Sequence, residues 1–249
     1  VGYEPSHCAR RDLVADLARA LARYGIPLLV YFTCSAPAND RRALERLQCT
    51  PPWDPQRIGL HYGSYLLAPE VDERLSAFQR HWEAIMREWS LRWGPRVRGW
   101  WIDGCYNADV VYRHPDEPNF RSFAAACKAG NPHSLIAFNP GVRVPVICHS
   151  ECDDYTAGEV DGGFPATANC SWAPPLSRYI DGAQLHILTY LGGGWGQGAP
   201  RFCDEFVIGF TKQMNAHEGV VTWDVPPTRE GHIPAQYMTQ LRALRAATR

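Results

Sequence analysis

The stretch Val97-Arg98-Gly99-Trp100-Trp101-Ile102-Asp103-Gly104 decides the fold class. A nearly continuous apolar run that ends in a carboxylate reads as a strand buried on both faces, the pattern of a parallel sheet covered by helices. Gly104 lets the chain turn away at once. On its N-terminal side lies a long helical pattern, Glu70–Trp93, whose Phe78, Trp82, Ile85, Met86 and Trp89 recur on one face. On its C-terminal side come a short helix, Phe120–Lys128, and a strand, Ser134–Asn139, stopped by Pro140.

The same alternation continues outward. Asp12–Tyr24 reads as an amphipathic helix with Leu13, Leu17 and Leu21 on its buried stripe and Gly25 as a stop signal. Ile26–Thr33 reads as a buried strand, followed by a long polar loop, Ala36–Leu67, of the length that builds sites. Further on, Tyr155–Glu159 and Gln184–Leu191 read as strands, the latter running into Gly192-Gly193-Gly194-Trp195-Gly196. Asp204–His217 is a helix, Gly219–Val225 a strand stopped by Pro226-Pro227, and Pro234–Ala247 a closing helix with proline at its first turn. Strands that alternate with helices or loops imply parallel pairing with right-handed crossovers. The expectation is an α/β fold of the (β/α)8 TIM-barrel type, with about six of the eight strands present. Residues 1–249 then form a single barrel catalytic domain lacking the first β-α-β portion, because no strand candidate precedes residue 26. A doubly wound open sheet is the alternative.

Composition narrows the function. The formal net charge is −1 with no basic stripe, which argues against nucleic acid as a partner. No apolar run is long enough to cross a membrane. The count of nine Cys is odd, so at least one thiol is free or intermolecular. Cys148, His149 and Cys152 lack a second pair to complete a zinc site, and the reading includes no metal and no cofactor. The Gly192–Gly198 loop lacks the Gly-Lys-Ser/Thr of a phosphate-binding loop, and no Gly-x-Ser-x-Gly marks a serine hydrolase. No signal peptide is visible, but the Asn169-Cys170-Ser171 triplet is a rare glycosylation sequon and points to a secreted or periplasmic protein. Nothing in the sequence sets the oligomeric state.

In such a fold the active site lies where the strands end. The strand-terminal residues are Thr33 and Cys34, Asp103, Asn139, Glu159, Tyr190 and Asp224. Three carboxylates on one rim suit the cleavage of a glycosidic bond, which needs one carboxyl group to protonate the leaving oxygen and another to attack the anomeric carbon or activate water. A carbohydrate is the expected substrate, and with nine Trp in the chain some aromatic faces are available to stack on sugar rings. Asp103 is the leading candidate, although Asp at a strand end equally suits a cap. Glu159 is preferred as its partner, with Glu151, Asp154 and Asp161 as rivals in the same acidic stretch. Tyr106, Asn107, Asn139, Trp172, Trp195 and Asp224 are candidate pocket residues; Asp224 also reads as a cap for the next turn, and Trp195, set between glycines, as a ligand platform.

Several ordered stretches together resemble the α-L-fucosidase family of retaining glycoside hydrolases. Arg11-Asp12-Leu13-Val14 with Tyr24-Gly25-Ile26 and Val30-Tyr31-Phe32 is similar to the helix and strand before that family's catalytic loop. Trp100-Trp101-Ile102-Asp103-Gly104 resembles its Trp-Phe-Asp-Gly nucleophile motif, and Asn169-Cys170-Ser171-Trp172 its Ser-Trp segment. Gly219 through Pro226, with Glu230-Gly231-His232-Ile233-Pro234, resembles its last strand and the turn after it. The resemblance implies an exo-acting retaining enzyme with Asp103 as nucleophile. The family's early His-His-Asp-Gly-Phe segment has no counterpart here, and its last strand usually ends in Asn where this chain has Asp224. A non-catalytic carbohydrate-binding barrel, or a barrel glycosidase for another sugar, are the competing readings.

Overall fold

A computed structural model describes residues 2–6, 8–34, 40–49, 74–105, 111–160 and 177–248. Tyr106, Asn107, Asp161, Trp172 and the Asn169 sequon lie outside the described residues, as does much of the 36–67 loop. The chain is α/β with parallel sheets. It divides into two compact units, Val1–Gly141 with Ser150–Asp153, and Val142–His149 with Asp154–Arg249. No helix among the described residues is long and apolar enough to cross a membrane.

In the first unit, α1 (Leu13–Ala22) leads into β1 (Leu28–Thr33). α2 (Arg41–Arg46) follows, then α3 (Ser76–Trp93), a 3-10 turn (Gly94–Arg96), β2 (Val97–Asp103), α4 (Phe120–Lys128) and β3 (Leu135–Phe138). The strands form one parallel sheet in the order β1-β2-β3. The central strand β2 is buried along its length except for Arg98 and the half-buried Asp103. One sheet face carries Phe32, Trp100, Ile102, Ile136 and Phe138 into a core with Phe78, Trp82 and Met86 of α3 and Phe120 and Phe123 of α4. Aromatic rings dominate it: Phe32 stacks on Trp82 at 5.4 Å, and Trp93 on Trp100 at 6.0 Å. These tryptophans are therefore core residues; Trp82 donates its N–H to the carbonyl of Thr33 and Trp93 to the Asp12 carboxylate. The same Asp12 carboxylate caps α1 by accepting from the backbone of Ala15.

Two helix expectations need correction. α1 does not bury the Leu13–Leu17 stripe: both side chains are exposed, and the helix seats Ala15 and Ala18 instead, with Val14 against the core. Small side chains let the helix approach closely, whereas the leucine stripe faces away. α3 begins at Ser76, because Leu75 before it adopts a left-handed conformation with φ 52° that no helix continues through. The helix α2 lies within the stretch expected to be only loop, and Asp40 caps it by accepting from the backbone of Ala43.

In the second unit, a two-residue hairpin of β4 (Tyr179–Ile180) and β5 (Ala183–Gln184) precedes β6 (His186–Tyr190). Then come α5 (Asp204–Ala216), β7 (Val220–Asp224) and α6 (Ala235–Ala247). β6 and β7 pair in parallel, in register from His186 with Val220 to Tyr190 with Asp224. α5 packs on β7 and α6, burying Val207, Phe210 and Met214 against Leu185, Ile187 and Tyr237.

Tyr155–Glu159 is not a regular strand. It runs parallel to the β5–β6 segment but pairs with it only at isolated bridges among the described residues, Tyr155 with Gln184 and Glu159 with Leu188. The Thr156 hydroxyl takes over two positions of the ladder, accepting from the backbone N–H of His186 and donating to its carbonyl. Gly158 then breaks the extended conformation with φ 63°.

Candidate active site

The first unit gathers its polar groups at the C-terminal end of the sheet, where Thr33 lies in register with Asp103. Asn139, just past β3, joins the ladder by donating from its backbone to the Ile102 carbonyl at 2.7 Å. The Asp103 carboxylate is held at both oxygens. Oδ1 accepts from the backbone N–H of Gly104 at 2.7 Å and from the Asn139 side-chain amide at 2.8 Å. Oδ2 accepts from the Tyr31 hydroxyl at 2.6 Å. Gly104, with φ 83°, supplies the turn that folds its own N–H back onto the carboxylate.

The two oxygens are unequal. Asn139 is fully buried, and its carbonyl oxygen accepts from the backbone of Gly141, so the amide presented to Oδ1 is fixed in orientation. Tyr31 is 61% exposed, and its ring stacks on the buried Trp101 at 5.5 Å. Oδ1 is therefore anchored to the protein interior, whereas the bond at Oδ2 comes from an exposed side chain. Tyr31 was not singled out from the sequence as a site residue. The signal was present in strand alternation: Tyr31 shares a sheet face with Thr33, and Thr33 pairs with Asp103.

Glu159 belongs to the second unit. It is half-buried and sits opposite Leu188, with Leu188 N–H donating to the Gly158 carbonyl and Val160 N–H to the Leu188 carbonyl. Gly158 is required there twice over, by its positive φ and because a Cβ would meet the His186 carbonyl oxygen at 1.9 Å. The rival carboxylates have other surroundings. Glu151 is exposed and ion-paired with Arg121 at 3.1 Å. The Asp154 backbone carbonyl accepts from Gln184. Asp153 is a structural latch, accepting from the backbones of Phe138 and Ser150.

At the end of β6 and β7, Asp224 accepts from the backbone N–H of Gly196 at 2.7 Å, so it ties down the glycine loop rather than the following turn. Tyr237 donates to the Gly198 carbonyl from the other side. Trp195, at the tip, is 41% exposed and meets Tyr190 edge-on at 4.9 Å. Arg201 stacks on that same Tyr190 ring at 4.1 Å and donates to the Tyr190 carbonyl. An exposed indole on a pinned loop offers an apolar plate without the entropy cost of ordering it.

At the start of β6, His186 is buried between the Thr156 carbonyl at 2.9 Å and the Thr222 hydroxyl at 2.8 Å. Burial lowers its pKa to about 4. It is neutral, with Nδ1–H donating to the carbonyl and Nε2 accepting from the hydroxyl.

No protein-family model and no curated protein matches the chain. Solved structures do match. An endo-fucoidan hydrolase of glycoside hydrolase family 107 (MfFcnA4) aligns with 94% of this chain and 40% of its own, at TM-score 0.69 and 19% identity. The α-L-fucosidase AlfC from Lactobacillus casei aligns with 95% of this chain and 64% of its own, at TM-score 0.60 and 13% identity. The α-L-fucosidase isoenzyme 1 of Paenibacillus thiaminolyticus aligns with 95% and 52%, at TM-score 0.57 and 16% identity. The likeness is one of fold, and this chain spans less than half the length of the first of these.

Proposed function

We propose that the chain is the larger part of a (β/α)-barrel catalytic domain of a glycoside hydrolase that cleaves α-L-fucosyl linkages with retention of configuration. The observation that carries the reading is the Asp103 carboxylate: it stands at the end of a central parallel strand, and among the described residues Oδ1 accepts from Gly104 and Asn139 and Oδ2 from the exposed side chain of Tyr31. A cap needs one such bond; a nucleophile needs an orientation held from behind. The fold likeness to fucose-processing hydrolases supports the substrate class.

In this mechanism Asp103 Oδ2 attacks the anomeric carbon, and the glycosidic C–O bond breaks as Glu159 gives its proton to the leaving oxygen. Water then attacks the anomeric carbon of the glycosyl ester, Glu159 takes the water proton, and the Asp103 carboxylate is released. Asn139 and Gly104 keep Oδ1 in place throughout. Tyr31 yields its hydrogen bond at Oδ2 as the ester forms. Trp195 stacks on a sugar ring. Asp103→Asn is expected to abolish turnover of aryl α-L-fucosides, and Glu159→Ala to leave a defect that azide rescues. Wild-type turnover by Asp103→Asn would end the assignment.

An endo-acting mode on fucan chains is a second reading, supported by the fold likeness to endo-fucoidan hydrolases. Release of oligosaccharides rather than single fucose from a fucan polymer distinguishes it.

A further inference from the structure

The second unit holds Trp195 at two levels. Asp224 Oδ2 and the Tyr237 hydroxyl bond the loop at the Gly196 N–H and the Gly198 carbonyl, which fixes its backbone. The tilt of the indole is set by a ring. Among the described residues Trp195 meets Tyr190, with ring centres 4.9 Å apart and 75° between planes. Tyr190 is 7% exposed against 41% for Trp195, so a buried ring supports a presented one. Arg201 in turn supports the Tyr190 ring. Its guanidinium carbon lies 4.1 Å from the centre of that ring and 4.4 Å from the centre of Phe202. Nε donates to the Tyr190 carbonyl at 3.2 Å, and a terminal nitrogen donates to the Thr189 hydroxyl at 3.3 Å. The Arg201 backbone N–H donates to the Leu191 carbonyl at 2.9 Å. Phe202 meets Phe206 and Trp223, which tie the assembly to the core of this unit.

We infer that Arg201 is a positioning residue for a sugar-binding plate at Trp195, acting through Tyr190. The inference rests on the proposed reading of Trp195 as a side chain that stacks on a sugar ring. A cation over the face of a tyrosine is attracted to it. The two side-chain hydrogen bonds to the end of β6 keep the guanidinium from sliding off that face. A planar guanidinium stacks by its face while it donates from its edge, whereas an ammonium is a point charge that does not do both. The Tyr190 ring is thereby held in place, and Trp195 rests against it. A sugar that meets an indole already oriented has less freedom to remove on binding. Arg201 acts here through the shape of the plate rather than by its charge meeting the ligand, so a neutral sugar also feels its loss.

The test titrates a set of neutral α-L-fucosyl trisaccharides, covering the common linkages, into proteins that all carry Asp103→Asn, so that no probe is consumed. The parent is compared with its Trp195→Ala, Arg201→Lys and doubly substituted derivatives by calorimetry. Trp195→Ala is expected to weaken the Kd of the bound trisaccharide roughly tenfold. Arg201→Lys keeps the charge and is expected to weaken it roughly three- to tenfold. The double variant should bind no more weakly than Trp195→Ala alone, because Arg201 acts only through the plate. Tyr190→Leu keeps the carbonyl that Arg201 bonds and removes the ring. It is a second route to the same loss and covers the case in which Arg201→Lys does not fold. Acrylamide, a neutral quencher, reads the indole directly. Arg201→Lys should change the quenching of the protein's fluorescence, and a Trp195→Phe background should abolish that change.

Parental affinity in Arg201→Lys and Tyr190→Leu, or losses that add in the double variant, overturn the inference. So does the absence of trisaccharide binding by the parent. Its failure is distinct from failure of the proposed function. Turnover of aryl α-L-fucosides by the wild-type chain, with trisaccharide binding indifferent to Trp195 and Arg201, removes the positioning role and leaves the enzyme. Trisaccharide binding that depends on both residues, with no turnover of any fucoside, removes the enzyme and leaves the positioning role.

Discussion

The Tyr31 hydroxyl donates a 2.6 Å hydrogen bond to Asp103 Oδ2, from a ring stacked on Trp101 two register positions before the carboxylate. It comes from an exposed side chain, unlike the bonds that Oδ1 receives from Gly104 and the buried Asn139, so it is free to change as chemistry proceeds. Tyr31→Phe keeps the stack and removes the donor. Because this bond is released as the ester forms, it stabilises the resting carboxylate more than the transition state, so kcat on an aryl α-L-fucoside is expected to hold or to rise a few-fold, and a loss of about 100-fold would contradict the proposed release. The melting temperature should stay close to wild type, because the hydroxyl is not part of the core.

In the proposed mechanism Asn139 positions Asp103, to whose Oδ1 its amide donates. Asn139→Ala removes the amide from Oδ1 and leaves a cavity beside the Ile102 and Cys105 backbone ladder. Both stability and kcat should fall, with a loss of about 1–3 kcal/mol in urea unfolding. Asn139→Asp sets a second carboxylate 2.8 Å from the first in place of the amide and should lower kcat further while shifting the acid limb of the pH–rate profile.

Gly158 is the residue on which the Glu159 segment turns. Alanine there meets both a left-handed φ and the His186 carbonyl at 1.9 Å. Gly158→Ala should cost at least about 1–3 kcal/mol and reduce activity as Glu159 moves away from its bridge to Leu188. Denaturant unfolding combined with single-turnover kinetics separates the two effects.

His186 makes stability depend on pH in a stated direction. Its pKa is about 4 in the fold against 6.5 for a free imidazole, chiefly because it is buried. The unfolded chain therefore binds this proton more tightly. Stability is undiminished above the unfolded value and falls as pH drops between the two, by a total of about 3 kcal/mol. Urea midpoints measured from about pH 7 down to about pH 4 should show this slope, and His186→Gln should flatten it.

Trp195 is presented rather than buried, so its role is separable from stability. Trp195→Ala should leave unfolding within about 0.5 kcal/mol of wild type. It should raise KM for fucosyl oligosaccharides roughly tenfold, with a smaller effect on aryl fucosides that fill fewer subsites.

Much of this was legible in the sequence, and the misses have physical causes. β2 and α4 match their sequence boundaries because each has an unambiguous stop, Gly104 for the strand and the Asn119 capping box at the start of the helix. The Leu13–Leu17 stripe misled because periodicity identifies an apolar face without saying what covers it. Tyr155–Glu159 misled because Thr156 substitutes a side chain for backbone in the ladder, a swap that composition does not reveal. The position of Asp103 at a strand end is legible from the apolar run before it and Gly104 after it. Its exposed donor Tyr31, and the division of labour between its two oxygens, follow from register across strands that are far apart in sequence.

The nucleophile assignment is tested most directly by trapping. Incubation of the protein with a 2-deoxy-2-fluoro-α-L-fucosyl fluoride, followed by peptide mapping, is expected to place a fluorofucosyl ester on Asp103, with inactivation kinetics that a competing fucoside slows. Steady turnover with no ester on Asp103, or an ester on another carboxylate, would contradict the account.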